Sequence, residues 1–279
     1  MKRRNKIRYP KNFMECKICN ENNCLEAFVK NVTKCTNCGS LYNISAPHED
    51  IPVIASTNNI LKLSVQKKIS KLIAQSYIAY LKKKTKVGFK NALDIGCGLG
   101  DFVEELNKIG IKASGIESDA NTVKNAKANV NHGLFDESYD STIKYDLISM
   151  NQTLYYFEDS FAIIKKISSL LEVNGMILIA TVNTESSFRQ KHKIWGQGCK
   201  ICLGNKIWKN FDKFGLKCKD LTSYDDGLYI DFFLRKTDLM SNTKFMRNTL
   251  LYLSLMKKMF VVKEDGINNF VLLQKVRLV

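Results

Sequence analysis

The chain has 279 residues, of which 45% are apolar, 25% are charged and 10% are aromatic. This is the composition of an ordinary globular protein, and it excludes wholesale disorder and fibrous or collagen-like folds. The formal net charge of +16 is unevenly distributed, because residues 57–91 contain nine lysines and no acidic residue, whereas residues 92–183 are net negative. An acidic centre between basic flanks suits an anionic partner such as nucleic acid, a phosphorylated metabolite or a membrane surface, and equally suits solvated lysines.

The chain shows no signal for export or for a transmembrane helix. No apolar run approaches the roughly 18 residues that a bilayer-spanning helix needs. The basic segment 1–11 is not followed by the apolar region of a secretory signal. We therefore expect a cytoplasmic protein. One side of the segment 245–260 is apolar and could rest on a membrane surface, although packing before the final strand is the favoured interpretation.

Two Cys-x-x-Cys pairs near the amino terminus predict a zinc ribbon over residues 1–50. Fifteen residues separate the pair Cys16 and Cys19 from the pair Cys35 and Cys38. Each pair can place two thiolates on one tight turn, and two such turns complete a tetrahedral zinc site. A closed four-thiolate site is structural, and the alternative is four reduced structural cysteines.

A second group of possible ligands lies later in the chain. Cys199, Cys202 and Cys218, with His192, could bind another metal. This group lacks a second tight pair, so packing or chance is favoured. The number of cysteines alone does not indicate disulfides, because cytosolic thiols stay reduced.

The rest of the chain is predicted to alternate between helices and strands. Apolar residues at three- and four-residue steps predict a helix over residues 60–85, inside a basic linker of residues 51–90. From residue 91 onward strands alternate with helices, which indicates βαβ units and a parallel sheet. Residues 91–279 would form this domain, with an insertion covering the substrate at about 184–260. The predicted strands are 92–95, 112–116, 146–150, 176–182 and 270–276, and the predicted helices are 102–109, 120–129, 161–171, 206–214 and 243–260.

The segment Leu93–Phe102, LDIGCGLGDF, leads from a strand through three alternating glycines into a helix. Glycines at such a turn let the backbone approach a ligand, and the helix amino terminus adds free N–H groups. The spacing does not fit the G-x-G-x-x-G pattern of a dinucleotide site. Glu117 follows Gly98 by nineteen residues at the end of the next strand, where a carboxylate can accept bonds from ribose hydroxyls. The pair of features predicts a nucleoside site without a pyrophosphate.

These residues resemble class I S-adenosylmethionine-dependent methyltransferases. LDIGCGLG is similar to the first motif of that family, and Gly115-Ile116-Glu117 is similar to its ribose-binding motif. Residues 145–159 and 169–180 are similar to its fourth-strand and fifth-strand segments, with Val173-Asn174-Gly175 in place of the usual Pro-Gly-Gly. The resemblance implies an α/β fold, a Rossmann-like seven-stranded methyltransferase sheet with helices on both faces, preceded by the small ribbon.

The resemblance also implies roles for individual residues toward S-adenosylmethionine. The glycines would line the methionine part, Asp94 would anchor the loop, and Glu117 would hold the ribose. Ser118 and Asp136 would lie by the adenine, and Asn151 would face the sulfonium end. The implied cofactor-binding set is Asp94, Gly96, Gly98, Gly100, Glu117, Ser118, Asp136 and Asn151.

Methyl transfer from a sulfonium is an in-line displacement, so the protein mainly positions the acceptor and excludes water. A hydroxyl acceptor also requires a base. His192, Tyr155 and Tyr156 are the candidates for this catalytic role. Solvent exposure is more typical of a lone histidine in a basic loop, and a wall or core position is more typical of the two tyrosines.

A ribbon before this core resembles a bacterial group of methyltransferases, many of them associated with sugar modification. The first hypothesis is therefore methylation of a small molecule, at a hydroxyl of a sugar or nucleotide-linked sugar, with Lys191, Lys193 and Lys200 available for a phosphate. The second is an RNA methyltransferase that grips backbone phosphates, although no base-flipping motif follows the fourth strand. The third is a non-catalytic zinc-ribbon binding protein. The sequence does not indicate an oligomeric state.

Overall fold

In a computed structural model of the chain, the described residues are 15–44, 63–86, 88–127, 129–195, 198–225, 261–262 and 264–277. The predicted helix 243–260, with its candidate membrane-facing side, lies outside these ranges. Among the helices within them, none combines the length and the apolar character that crossing a bilayer requires.

The described residues form two β-sheets, five α-helices and three short 3-10 helices. The strands are β1 (Cys24–Glu26), β2 (Val32–Cys35), β3 (Leu41–Asn43), β4 (Asn91–Ile95), β5 (Lys112–Glu117), β6 (Val130–His132), β7 (Tyr145–Asn151), β8 (Leu171–Val182), β9 (Ile201–Cys202), β10 (Leu216–Asp225), β11 (Val261–Val262) and β12 (Asn268–Lys275). The helices are α1 (Leu63–Lys84), α2 (Asp101–Lys108), α3 (Ala120–Lys124), α4 (Ser160–Leu170) and α5 (Ser187–His192). Three short 3-10 helices span Leu154–Tyr156, Asn205–Lys209 and Asp212–Phe214.

The larger sheet has the spatial order β11-β10-β12-β8-β7-β4-β5-β6. Strands β8, β7, β4, β5 and β6 are parallel, and β12 lies antiparallel between β8 and β10. The predicted Rossmann-like sheet of seven strands is confirmed, with the two-residue β11 as an additional outer strand. Because the parallel strands share one direction, the carboxyl ends of β4, β5 and β7 meet at the same edge of the sheet.

Strand β7, near the centre of the larger sheet, is buried on both faces, as expected for a parallel sheet covered by helices. Strand β7 contributes Leu147, Ile148 and Met150, none of which is exposed to solvent. Helix α1 covers one face of the sheet, where the ring of Tyr80 stacks on Phe270 of β12 at 4.3 Å between centroids. The helix that follows the ribbon is therefore packed on the core rather than extended between two bodies.

Several observed elements differ from the predicted ones. Helix α3 ends at Lys124 instead of 129, since the chain turns back toward β6 and Asn129 takes a left-handed φ of 69°. The helix predicted at 206–214 is two 3-10 turns. Strand β10 was not predicted, and β8 begins at Leu171, before the Asn174-Gly175 turn.

The smaller sheet is the ribbon together with one strand from the rest of the chain. Its order is β1-β2-β3-β9, all antiparallel. Leu41 and Tyr42 of β3 pair with Cys202 and Ile201 of β9. The last strand of this sheet therefore comes from about 160 residues further along the chain.

Candidate cofactor cleft and metal ribbon

The three glycines after β4 form a tight turn that only small residues can occupy. Gly96, Gly98 and Gly100 have φ values of 68°, 56° and 78°. A Cβ on Gly96 would lie 2.4 Å from the side chain of Thr153, and one on Gly100 would lie 2.6 Å from Val130. Gly98 has no such neighbour within 4 Å, so the turn leaves open space at its middle glycine.

Glu117 stands at the end of β5, beside this turn. One oxygen of its carboxylate accepts a hydrogen bond from the backbone N–H of Gly98 at 3.0 Å, and the other accepts one from Asp119 at 3.0 Å. The hydroxyl of the exposed Ser118 lies 3.4 Å from the same carboxylate. The glycine turn and the predicted ribose carboxylate are thus brought together by the sheet.

Asp94 is a buried carboxylate below the turn. Its Oδ1 atom accepts hydrogen bonds from the hydroxyl of Ser149 at 2.6 Å and from the side-chain amide of Asn151 at 3.1 Å. Burial raises the pKa of Asp94 to about 7, against the opposing effect of those two donors. The Oδ1 atom of Asn151 is buried and has no hydrogen-bond partner among the described residues. Because a buried acceptor without a partner is costly, this pair is suited to a bound group that is cationic or rich in N–H donors.

A cavity of ≈ 270 Å³ joins these groups. One wall comes from the glycine turn, Asp94, Asn151 and Gln152. The opposite wall comes from helix α1, through Ser70, Ile73, Ala74 and Tyr77. This wall was not predicted, because the apolar periodicity of residues 60–85 predicts a helix but does not indicate that the helix lines a cavity. Gln152 was not predicted either; its left-handed φ of 58° is unusual for a residue with a side chain and places it at the rim of the cavity.

Asp136 occupies a different environment from the other predicted cofactor residues. Its carboxylate accepts hydrogen bonds from the backbone N–H and the hydroxyl of Ser138, at 2.8 and 2.6 Å, and these bonds lower its pKa. It closes its own turn, and like Gly100, Glu117 and Ser118 it is not among the residues that line the cavity, but unlike Glu117 it has no hydrogen bond to the glycine turn. Its role toward the adenine stays a prediction.

The four predicted zinc ligands converge in the ribbon. The sulfur atoms of Cys16, Cys19, Cys35 and Cys38 all lie within 4.8 Å of one another, and in the described ranges no other group of this kind is found. Cys16 and Cys35 are completely buried. Although burial raises the pKa of Cys16, a hydrogen bond from the hydroxyl of Tyr42 and N–H groups of the same turn lower it to about 7. Four converging thiols, two of them receiving N–H bonds from their own turns, fit a tetrahedral zinc ion.

Known proteins share both the sequence pattern and the fold of this chain. A family model described as a methyltransferase domain matches residues 65–208, which is half of the chain. The chain belongs to this methyltransferase family.

Two curated relatives of the methyltransferase show how far the sequence similarity extends. The ubiquinone biosynthesis O-methyltransferase of Glaesserella parasuis serovar 5 is 31% identical over 121 residues, which are 38% of this chain and 51% of that protein. The malonyl-[acyl-carrier protein] O-methyltransferase 2 of Ilyobacter polytropus is 30% identical over 113 residues, 37% of this chain and 44% of that protein. The chain thus spans about half the length of the curated relatives that it matches.

Solved structures extend the similarity of the fold. One chain in the complex between the Haloferax volcanii Trm112 methyltransferase activator and a methyltransferase has a TM-score of 0.51 at 14% identity, covering 77% of this chain and 95% of its own. The [4+2]-cyclase SpnF has a TM-score of 0.50 at 14% identity, covering 73% and 81%. At these identities the likeness establishes the fold of the methyltransferase and not its reaction.

The three candidate bases of the methyltransferase lie on two elements. Tyr155 and Tyr156 follow β7 in a 3-10 turn, with ring centroids 4.6 Å apart. Burial raises the pKa of both hydroxyls, which favours the wall position over the role of a base. His192 ends α5, where its ring lies 4.3 Å from that of Phe188. None of the three is among the residues that line the described cavity.

The ribbon of the methyltransferase contacts residues 199–204, and this segment also contacts the turn that contains Tyr155 and Tyr156. The backbone N–H of Lys200 donates to the carbonyl of Tyr155 at 2.8 Å, immediately before β9 joins the ribbon sheet. Gly204 donates its N–H to the buried hydroxyl of Ser40 at 3.0 Å. Cys199 and Cys202 are buried in this junction and pack with Tyr155 rather than with the four-sulfur cluster. The metal turns and the tyrosine turn therefore share one intervening segment, residues 199–204.

Replacement of Gly204 by alanine is expected to loosen this junction. The added Cβ would lie 2.1 Å from the carbonyl oxygen of Cys38 and 2.7 Å from the backbone nitrogen of Ser40. Backbone atoms cannot move aside as a flexible side chain does, so we expect a loss of about 2 kcal/mol in the free energy of unfolding. Gly88→Ala is the matched control, because its Cβ would meet nothing within 4 Å. Urea denaturation of the two variants measures the difference, and equal stabilities would contradict the tight contact.

Proposed function

We propose that the protein transfers the methyl group of S-adenosylmethionine to a small-molecule acceptor. One observation supports this most strongly: a single cavity joins the glycine turn to Asp94 and to the Asn151 oxygen that has no partner among the described residues, and Glu117 is hydrogen-bonded to the lining residue Gly98. An acidic, acceptor-rich cavity complements a ligand that carries a sulfonium and an ammonium group. The relatives named above as methyltransferases support the same assignment.

Each part of the cavity has a role toward that cofactor. Glu117 would accept hydrogen bonds from the ribose hydroxyls, in exchange for those it now accepts from Gly98 and Asp119. The glycine turn would let the backbone lie against the methionine portion. Asp94 would anchor the loop and reach toward the amino group, and the oxygen of Asn151 that has no partner among the described residues would face the sulfonium end. The bound cofactor supplies an activated methyl group, and the protein holds the acceptor in line with it and keeps water out.

The acceptor is proposed to be a hydroxyl of a sugar or a nucleotide-linked sugar. The two curated relatives are O-methyltransferases by name, which supports an oxygen acceptor. Lys191 and Lys193 are exposed beside His192 and are available for a phosphate of such a substrate. Lys200 already forms an ion pair with Glu158 at 2.5 Å. The same proposal includes two further roles. His192 would act as the base, and zinc would be the structural ion of the ribbon.

Calorimetric titration with S-adenosylhomocysteine tests the cofactor assignment. We expect Glu117→Ala to weaken binding by roughly 10- to 100-fold, because hydrogen bonds to a charged group each contribute about 1.5–3 kcal/mol. Glu137→Ala removes an exposed glutamate and is expected to leave the affinity unchanged. Unchanged affinity of a folded Glu117→Ala variant would show that the ribose lies elsewhere.

Salt dependence separates the small-molecule proposal from RNA methylation. RNA binding should weaken steeply between low and physiological salt, since counterions are released along the phosphate backbone. Binding of S-adenosylhomocysteine should change little over the same range. Tight, salt-sensitive RNA binding, together with methyl transfer to RNA from labelled cofactor, would overturn the choice of acceptor.

A further inference from the structure

A second, larger cavity lies at the opposite edge of the main sheet from the cofactor cleft. Its volume is ≈ 500 Å³, within the range of ligand-binding pockets. It opens where α4 ends, where β8 begins and where β12 finishes. The seven residues of β7 separate the two edges, which corresponds to roughly 20 Å. We call this cavity the cationic cleft, because four basic residues line it: Lys165, Lys213, Lys275 and Arg277.

The charge of the cationic cleft is not neutralised by its own lining. No acidic residue is among the residues that line it. Within the parts of the chain that the structure describes, none of the four basic residues forms an ion pair with a carboxylate. Burial lowers the pKa of Lys275, and the nearby charge of Lys144 lowers it further, although Glu172 opposes this. Several like charges thus face one concave space without a counter-charge inside it.

Contacts with the carboxyl end of α4 explain the positions of only some of these basic residues. Lys275 donates to the carbonyl of Leu171 at 2.8 Å, and Lys144 donates to that of Ser169 at 2.7 Å. Both are ordinary partners for the free carbonyls at the end of α4. Lys165 and Arg277 are exposed and have no such partner among the described residues, so the end of the helix does not explain their position.

Three apolar side chains also line the cleft, and we call this part of the lining its floor. They are Val173, Phe214 and Val276. The ammonium group of Lys213 lies 4.8 Å from the ring centroid of Phe161 and 5.1 Å from that of Phe214, which holds this charge above the floor. A basic rim over an apolar floor matches a molecule with an anionic end and an organic body. The concave shape favours a small ligand over an extended macromolecule.

We propose that the cationic cleft binds a small phosphorylated organic molecule. Arg277 presents a planar donor pair suited to phosphate oxygens, and Lys165 and Lys213 add point charges. Val173, Phe214 and Val276 would contact the organic body. This site is separate from the cofactor cleft and does not depend on the reaction proposed there.

Calorimetry with pyrophosphate and with ATP as probes tests the site in the full-length protein. Saturating S-adenosylhomocysteine keeps the probes out of the cofactor cleft. We expect ATP to bind with a Kd below about 1 mM at physiological salt, and more tightly than pyrophosphate because of the floor. The double variant Lys165→Glu, Arg277→Glu should weaken binding by at least tenfold, and Arg277→Ala alone should weaken it measurably with no effect on folding.

A double variant with the same charge change is the matched control. Lys30 and Lys112 are exposed lysines away from the cleft, so Lys30→Glu, Lys112→Glu should leave ATP binding unchanged. Equal loss in both double variants would identify general attraction to a basic protein and overturn the site. No binding of either probe would also overturn it. An RNA oligonucleotide that binds more tightly than ATP and depends on Lys165 and Arg277 would assign the cleft to RNA instead.

Discussion

Removal of the metal from the ribbon is expected to disorganise residues 15–44 and the segment 199–204 together. Four cysteine side chains, three of them buried and Cys19 half-buried, converge in the described ribbon, and the N–H of Gly204 donates to Ser40 directly after the second cysteine turn. Structural zinc contributes apparent binding free energies of about 10–16 kcal/mol in small zinc domains, and that energy is folding energy. We expect about one zinc ion per chain, and strongly increased amide hydrogen exchange in both segments after chelation or in Cys35→Ser.

The cofactor cleft should respond differently to the same treatment. None of the described residues that line it belongs to the ribbon or to the segment 199–204. We therefore expect the affinity for S-adenosylhomocysteine to change less than about threefold, well under 1 kcal/mol. Cys218→Ser is the control, since that half-buried cysteine lies on β10 outside the sulfur cluster. Metal-free protein with a fully protected ribbon would contradict the zinc assignment.

Replacement of Asp94 by asparagine is expected to remove a pH-dependent loss of stability. Burial raises the pKa of this carboxyl from 3.8 to about 7, so the native state holds a proton that the unfolded state has released. The free energy of unfolding therefore falls as the pH rises from 3.8 to about 7, and it levels off above about pH 7. The contribution approaches 4 kcal/mol in total, at about 1.4 kcal/mol per pH unit. In urea denaturation, the free energy of unfolding of Asp94→Asn relative to that of the wild type should increase by that amount between pH 4 and pH 8.

Cofactor binding should have the opposite dependence on pH. The ammonium group of S-adenosylhomocysteine favours the ionised form of Asp94, so the affinity of the wild type for this ligand should increase from pH 5 to pH 7. In Asp94→Asn the affinity should be weaker above pH 7 and nearly independent of pH in this range. Ser149→Ala is a useful comparison, because it removes one donor to the carboxylate and should raise its pKa further. A pH-independent affinity of the wild type would show that Asp94 does not face the ligand's charge.

The contact between the glycine turn and Glu117 is predictable from the sequence because its determinants are local, whereas the roles of these residues toward a cofactor stay predictions. The glycine turn and Glu117 each lie at the end of a short apolar strand, and parallel pairing of β4 with β5 is sufficient to bring them together. The four ribbon cysteines are similarly local, in two tight turns. Regular alternation of strands and helices also predicts β7 and β8, whereas the three-residue parallel strand β6 is not among the predicted strands.

Features that depend on distant pairing could not be predicted in the same way. Strand β10 reads LKCKDLTSYD, which lacks an apolar alternation, and it becomes a strand because β12 pairs along most of its length. Strand β9 has two residues and is defined only by its contact with the ribbon. The wall formed by α1 depends on how that helix packs, and its apolar stripe alone does not distinguish a core contact from a cavity lining.

The strand shared between the ribbon and residues 201–202 has a consequence for biosynthesis. The cysteine turns and β3 emerge from the ribosome long before β9, so the outer edge of β3 is still unpaired when the rest of the ribbon has been synthesised. An unpaired strand edge is a template for association with other chains. The interval of about 160 residues between β3 and β9 is thus a period of vulnerability during synthesis, and it ends only when the carboxyl-terminal part of the chain supplies the missing strand.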